Sequence, residues 1–165
     1  MTNEELFAIS YEVSSRLKES GKKLAVAESF TGGTVSSALV SIEGASSFLV
    51  DGIVCYSHEA KEFRLGIDES ILSKFGAVSE QTISAMLDGL MSSPLAPDYA
   101  LATTGNAGPG AEEKSTEGEC FVAVADKNEK IVRKLTLKGN RQENILNGAI
   151  KALELLNEFV KNKRG

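Results

Sequence analysis

The chain has 165 residues, 42% of them apolar, with 23 acidic against 18 basic side chains and a formal net charge of −5. This length suffices for one domain around a real hydrophobic core, spanning residues 1–165, and the acidic balance argues against nonspecific attraction to nucleic acid. No apolar run approaches a membrane span and Met1-Thr2-Asn3-Glu4-Glu5 lacks the pattern of a secretory signal, so a cytosolic protein acting on a small molecule is expected.

Asn3 to Ser20 reads as a helix, with Leu6, Ile9, Val13 and Leu17 at roughly helical spacing and Gly21 ending it. Lys23 to Ala27 supplies a strand, followed by Thr31 to Ile42 as a helix rich in small residues. Gly44 breaks this pattern. Phe48 to Ser57 is the next strand, His58 to Leu65 and Glu69 to Phe75 are short helices, and Ser79 opens a longer helix ending near Met91. Tyr99 to Thr103 is an apolar strand that runs into the glycine-rich loop Thr104-Gly105-Asn106-Ala107-Gly108-Pro109-Gly110. Phe121 to Ala125 and Ile131 to Leu137 form a hairpin about the turn at 126–130, and Glu143 to Val160 is a final amphipathic helix. The tail Lys161-Asn162-Lys163-Arg164 reads as a frayed, solvated end.

Strands interleaved with helices predict a three-layer α/β/α domain with a mixed, mostly parallel sheet. Ligands in such folds collect beyond the carboxyl ends of the strands, where loops at Ser29, at 57–61 and at 104–110 could meet. Cys55 and Cys120 each lie in an apolar strand-like run, the context of a buried reduced thiol. With one histidine and no cysteine pair, a zinc site is not expected.

Ala27-Glu28-Ser29-Phe30-Thr31-Gly32-Gly33-Thr34 places hydroxyls and a glycine pair where a strand gives way to a helix. Ser29 or Thr31 could simply cap that helix; alternatively, Ser29 is a nucleophile beside free backbone amides that hold an anion. A nucleophilic serine needs a base. His58 could serve near neutral pH, as in a serine and histidine hydrolase, whereas Lys61 could serve only if burial or a neighbouring cation lowered its pKa. Either could equally be a solvated helix residue. Thr104 and its loop could wrap a ligand, and Lys114, Lys138 or Arg141 could neutralise a phosphate or remain surface charges.

Taken jointly, Ala27-Glu28-Ser29-x-Thr31-Gly32-Gly33, Tyr56-Ser57-x-x-x-Lys61, Gly76-Ala77-Val78-Ser79-Glu80, Thr104-Gly105-x-Ala107-Gly108-Pro109 and Gly139-x-Arg141 closely resemble the CinA C-terminal domain family. The resemblance covers nearly the whole chain. It implies a nicotinamide mononucleotide deamidase, an amidohydrolase that converts the carboxamide to nicotinate mononucleotide and ammonia in pyridine-nucleotide salvage. It further implies Ser29 as nucleophile and Lys61 as general base, without metal or cofactor, and a homo-oligomer. The family pattern assigns Thr31, Gly32, Gly33, Tyr56, Thr104, Gly105 and Arg141 to substrate binding and demotes His58. This chain departs from the pattern at Phe30, Asn106, Glu119 and Asn140, so an inactive nucleotide-binding or regulatory module of the same fold is the alternative. Longer members carry an additional amino-terminal domain, and 165 residues suggest the stand-alone form.

Overall fold

In the computed structural model, which describes residues 1–163, helix α1 (Asn3–Ser20) begins at Thr2. The Thr2 hydroxyl accepts from the Glu5 amide and the Glu5 carboxylate accepts from the Thr2 amide, so two otherwise orphaned donors are satisfied reciprocally. Gly21, at φ 65°, closes the helix in the left-handed conformation.

The chain continues through β1 (Leu24–Glu28), α2 (Thr34–Val40), β2 (Leu49–Val54), α3 (His58–Leu65), α4 (Glu69–Phe75) and α5 (Glu80–Met91). It ends with β3 (Tyr99–Gly105), β4 (Glu119–Ala125), β5 (Lys130–Thr136) and α6 (Arg141–Asn162). The strands form one sheet in the order β2-β1-β3-β4-β5. The β1 strand pairs in parallel with β2 and β3, and β4 pairs antiparallel with both β3 and β5. Four strands therefore share a direction and β4 alone opposes them, as the expected mixed, mostly parallel sheet requires.

Strand alternation separates two cores of different character. Leu24, Val26, Leu101, Val122 and Val124 face a core shared with Val13, Leu17, Leu39, Leu153 and Phe159 from α1, α2 and α6. The intervening Ala25, Ala27, Ala100, Ala102 and Ala123 face α3, α4 and α5, packed by Leu65, Ile83, Met86 and Leu87. Small strand residues on this second face let those helices approach closely. Helices α5 and α3 also meet closely, since a Cβ at Gly89 would fall 2.3 Å from the Leu65 carbonyl oxygen.

Several boundaries differ from the sequence reading. Helix α2 starts at Thr34 because Gly32 and Gly33 take φ values of 59° and 98°, which turn residues 31–33 away from a regular helix. The β2 strand stops at Val54 because Ser57 caps α3, its hydroxyl accepting from the Ala60 amide at 3.0 Å. The carboxyl end is not frayed through Lys163. Helix α6 runs to Asn162, and the Lys163 ammonium pairs with Asp126 at 3.0 Å, reaches Glu129, and lies over the Phe159 ring. Arg164 lies outside the described residues. Among the described residues no helix is long and apolar enough to cross a membrane.

Candidate active site

The carboxyl ends of β1, β2 and β3 converge on Ser29, the residue immediately after β1. Its amide donates to the Thr103 carbonyl at 3.1 Å and approaches the Thr103 hydroxyl at 3.3 Å, so β3 fixes the backbone beneath the serine. Ser29 is 7% exposed.

The residue before it, Glu28, is fully buried and organises the turn. One carboxylate oxygen accepts from the Thr31 hydroxyl at 2.6 Å, the Gly33 amide at 3.1 Å and the Val35 amide at 3.0 Å. The other accepts from both the amide and the hydroxyl of Ser36, each at 2.7 Å. Neither Ser29 nor Thr31 caps α2. A carboxylate from the end of β1 fills the amino terminus instead, where the helix dipole favours negative charge. Thr31 turns inward and shares a 2.8 Å hydrogen bond with Thr103. Among the described residues, no acceptor takes the amide hydrogen of Phe30 or Thr31.

Lys61 reaches Ser29 from the first turn of α3. Its Nζ lies 2.9 Å from Ser29 Oγ, 3.0 Å from the Cys55 carbonyl and 3.1 Å from the Tyr56 carbonyl, and the side chain is fully buried. Burial pulls the Lys61 pKa below the ordinary lysine value, against an opposing pull from Cys55 and Glu112. With these two carbonyls accepting two of its hydrogens, the amine in its uncharged form would aim its lone pair at Ser29 Oγ.

Above this pair lies a cleft of about 350 Å³, lined by Ser29, Phe30, Tyr56, the loop from Gly105 to Glu112, and Arg141. Arg141, at the start of α6, donates to the Gly108 carbonyl at 2.8 Å and to the Tyr56 hydroxyl at 3.0 Å. Among the described residues, its remaining N–H groups have no hydrogen-bond partner. Gly105 is required where it stands, since a Cβ would fall 2.2 Å from that of Cys120.

Ser29, Lys61, Tyr56, Gly105 and Arg141 are thus brought together. Thr31, Gly32, Gly33 and Thr104 are not brought into the cleft by their side chains. Gly32 and Gly33 line a separate hollow beside Leu6 and Phe7 of α1, and the Gly33 amide is already committed to Glu28. The Thr104 hydroxyl points to the opposite sheet face and donates to the Ala77 carbonyl at 2.7 Å. It is Thr103, one residue earlier, that meets the serine turn. His58 sits at the entrance to α3, half-exposed and 3.8 Å from Glu112. Lys114 donates to the carbonyls of Ser73 and Lys74 at the end of α4, a helix-terminal role.

The altered family positions are structurally occupied. Asn106 uses its amide nitrogen on the Ser115 hydroxyl at 2.7 Å and the Thr116 carbonyl at 3.1 Å, and its oxygen accepts from the Glu112 amide at 3.2 Å. Asn140 caps α6 reciprocally with Glu143, and Glu119 pairs with Lys134 at 2.8 Å. Phe30 packs against Gly148 of α6, where a Cβ would fall 2.3 Å from its ring. Cys55 and Cys120 are free and buried; burial raises both thiols, Cys120 to about 12.

The sequence model of the CinA C-terminal domain matches residues 7–160. The chain belongs to the CinA C-terminal domain family. It is 40% identical over 148 residues to a CinA-like protein of Thermotoga neapolitana, covering 89% of this chain and 36% of that protein. A CinA-like protein of Shewanella amazonensis is 44% identical over 121 residues, covering 73% of this chain and 28% of that one. The chain therefore spans about a third of the length of the curated CinA relatives it matches. Among solved structures, a competence-damaged protein (CinA) superfamily protein from Klebsiella pneumoniae superposes with a TM-score of 0.91 at 26% identity, covering 95% of this chain and 98% of that one. A competence or damage-inducible protein from Enterobacter asburiae gives 0.89 at 30% identity, covering 94% and 98%.

Proposed function

We propose that this CinA-family chain is an amidohydrolase that converts nicotinamide mononucleotide to nicotinate mononucleotide and ammonia. The observation that carries the reading is the 2.9 Å approach of a fully buried Lys61 amine to Ser29 Oγ with two carbonyls holding its other hydrogens. The family resemblance supplies the substrate.

Neutral Lys61 takes the Ser29 proton as Oγ attacks the carboxamide carbon. The oxyanion is received by the amides of Phe30 and Thr31, the donors next to the nucleophile that have no acceptor within the described residues. The Lys61 ammonium then gives its proton to the departing nitrogen, and ammonia leaves an acyl-enzyme on Ser29. Water, deprotonated by the same amine, cleaves this ester and restores Ser29. Because Glu28 already fills the start of α2, the substrate phosphate is assigned to Arg141.

Ammonia release from nicotinamide mononucleotide is the direct assay. Ser29→Ala should abolish it, Lys61→Ala should lower kcat by about 10²- to 10⁴-fold, the range for losing a general base, and His58→Ala should change it little. Full activity in Ser29→Ala would end the mechanism, and ligand binding without ammonia release by the unaltered chain would mark a binding module instead.

A further inference from the structure

Two charged residues line the cleft above Ser29, and they have opposite signs: Arg141 and Glu112. Their preparation differs from that of ordinary surface charges. Arg141 is held by Gly108 and Tyr56. The backbone of Glu112 is pinned on both sides, its amide donating to Asn106 Oδ1 at 3.2 Å and its carbonyl accepting from the amide and hydroxyl of Ser115 at 3.2 and 3.0 Å. Asn106 ties the far side of the same loop through Ser115 and Thr116.

Among the described residues, the carboxylate that this scaffold carries has no hydrogen-bond partner. Its nearest cationic group is His58 Nε2 at 3.8 Å, beyond hydrogen-bond distance and charged only when protonated. By contrast Glu117, on the same loop, is committed to the Gly110 amide at 2.9 Å. Glu112 thus has a held backbone and a half-exposed carboxylate at the edge between this cleft and the hollow beside His58, opposite in sign to Arg141.

We propose that Glu112 is a specificity-determining residue that reads a positive charge on the amide-bearing ring, so that the cleft selects a zwitterionic nucleotide: an anionic phosphate for Arg141 and a cationic aromatic carboxamide for Glu112. The proposal rests on the amidase reading for the identity of the amide and not for the recognition of charge. An N-substituted pyridinium carries the required charge. Its dihydropyridine counterpart keeps the carboxamide, ribose and phosphate but has a neutral ring, and lacks anything for Glu112 to attract. In a half-exposed site such a pair discriminates modestly, by no more than about fivefold.

Calorimetric titration in the Ser29→Ala background separates recognition from turnover, with nicotinamide mononucleotide and its 1,4-dihydro form as the two probes. Glu112→Gln should weaken the pyridinium form about three- to fivefold and leave the dihydro form unchanged. Glu112→Lys should invert the preference. Equal shifts for the two probes, or no shift for either, would overturn the proposal. Ammonia release by the unaltered chain is scored separately. Turnover with Glu112-independent binding removes the charge reading alone, and Glu112-dependent binding without ammonia release removes the amidase reading alone.

Discussion

Lys61 is the residue whose chemistry depends most on where it is buried. Burial depresses its pKa in the folded chain, whereas the unfolded chain restores the ordinary lysine value near 10.4 (about that of a model peptide). Between the folded and unfolded values the unfolded chain binds more protons, so stability rises with pH through this window and is lost as pH falls through the folded value. Lys61→Met should therefore be inactive yet withstand more urea than the unaltered chain near neutral pH. The gap should narrow as pH approaches the ordinary lysine range, a trend read from urea midpoints across pH. Activity should move the same way: kcat should climb with pH as the amine loses its proton and level off below that range. A kcat that rises only within the ordinary lysine range, with Lys61→Met less stable at every pH, would remove the buried-base account.

Helix ends position the site at the next scale. Helix α2 has no hydroxyl cap and takes its terminal charge from Glu28, which also ties Thr31 and hence the loop bearing Ser29. Glu28→Gln places an amide donor among groups that all donate, and should cost about 1.5 to 3 kcal/mol in a denaturant titration, the range for hydrogen bonds to a charged group. Its kcat should fall although Glu28 touches no substrate, because the serine loop loses its anchor. Helix α6 offers a contrast. Asn140→Ala should remove about 1 kcal/mol through loss of the reciprocal cap with Glu143, and should raise KM more than it lowers kcat because Arg141 is the next residue. A kcat loss in Asn140→Ala matching that of Glu28→Gln would show that the two helix ends do not divide the work in this way.

At the scale of the whole molecule, one sheet contributes a face to each of two cores, so neither helix layer can bury its core without the sheet. Leu153 is fully buried in α6 against the larger-residue face. Leu153→Ala should cost about 2 to 5 kcal/mol, from lost transfer energy and the cavity left behind. Far-ultraviolet dichroism and tyrosine fluorescence should report the loss at the same denaturant midpoint. Separate midpoints would mean that the layers unfold independently.

What the sequence determined by itself was the set of elements and the chemical kinds available. Helix periodicity, glycine stops, the opening at Ser79 and strand alternation are interactions within a few residues, and they set α1, α3 and α4 to the residue and the other elements to within a few. The apolar runs around Cys55 and Cys120 foretold their burial for the same local reason. Partner choice was decided only by the tertiary structure. Lys61 lies 32 residues from Ser29, Thr103 is 74 from it, and Arg141 is 85 from Tyr56. No local pattern sets a hydrogen-bond partner at such separations, or tells whether a lysine on a polar helix is solvated or dry. For the same reason Thr104, named from its loop, faces Ala77, while Thr103 reaches the serine turn. The sequence reading ends the strand at Ala27 and gives Glu28 no role, and the signal that could have found it is an acid directly after an apolar run. Only packing showed that its carboxylate meets the amino terminus of α2, and that the anion-binding role expected of that terminus is filled from within the chain.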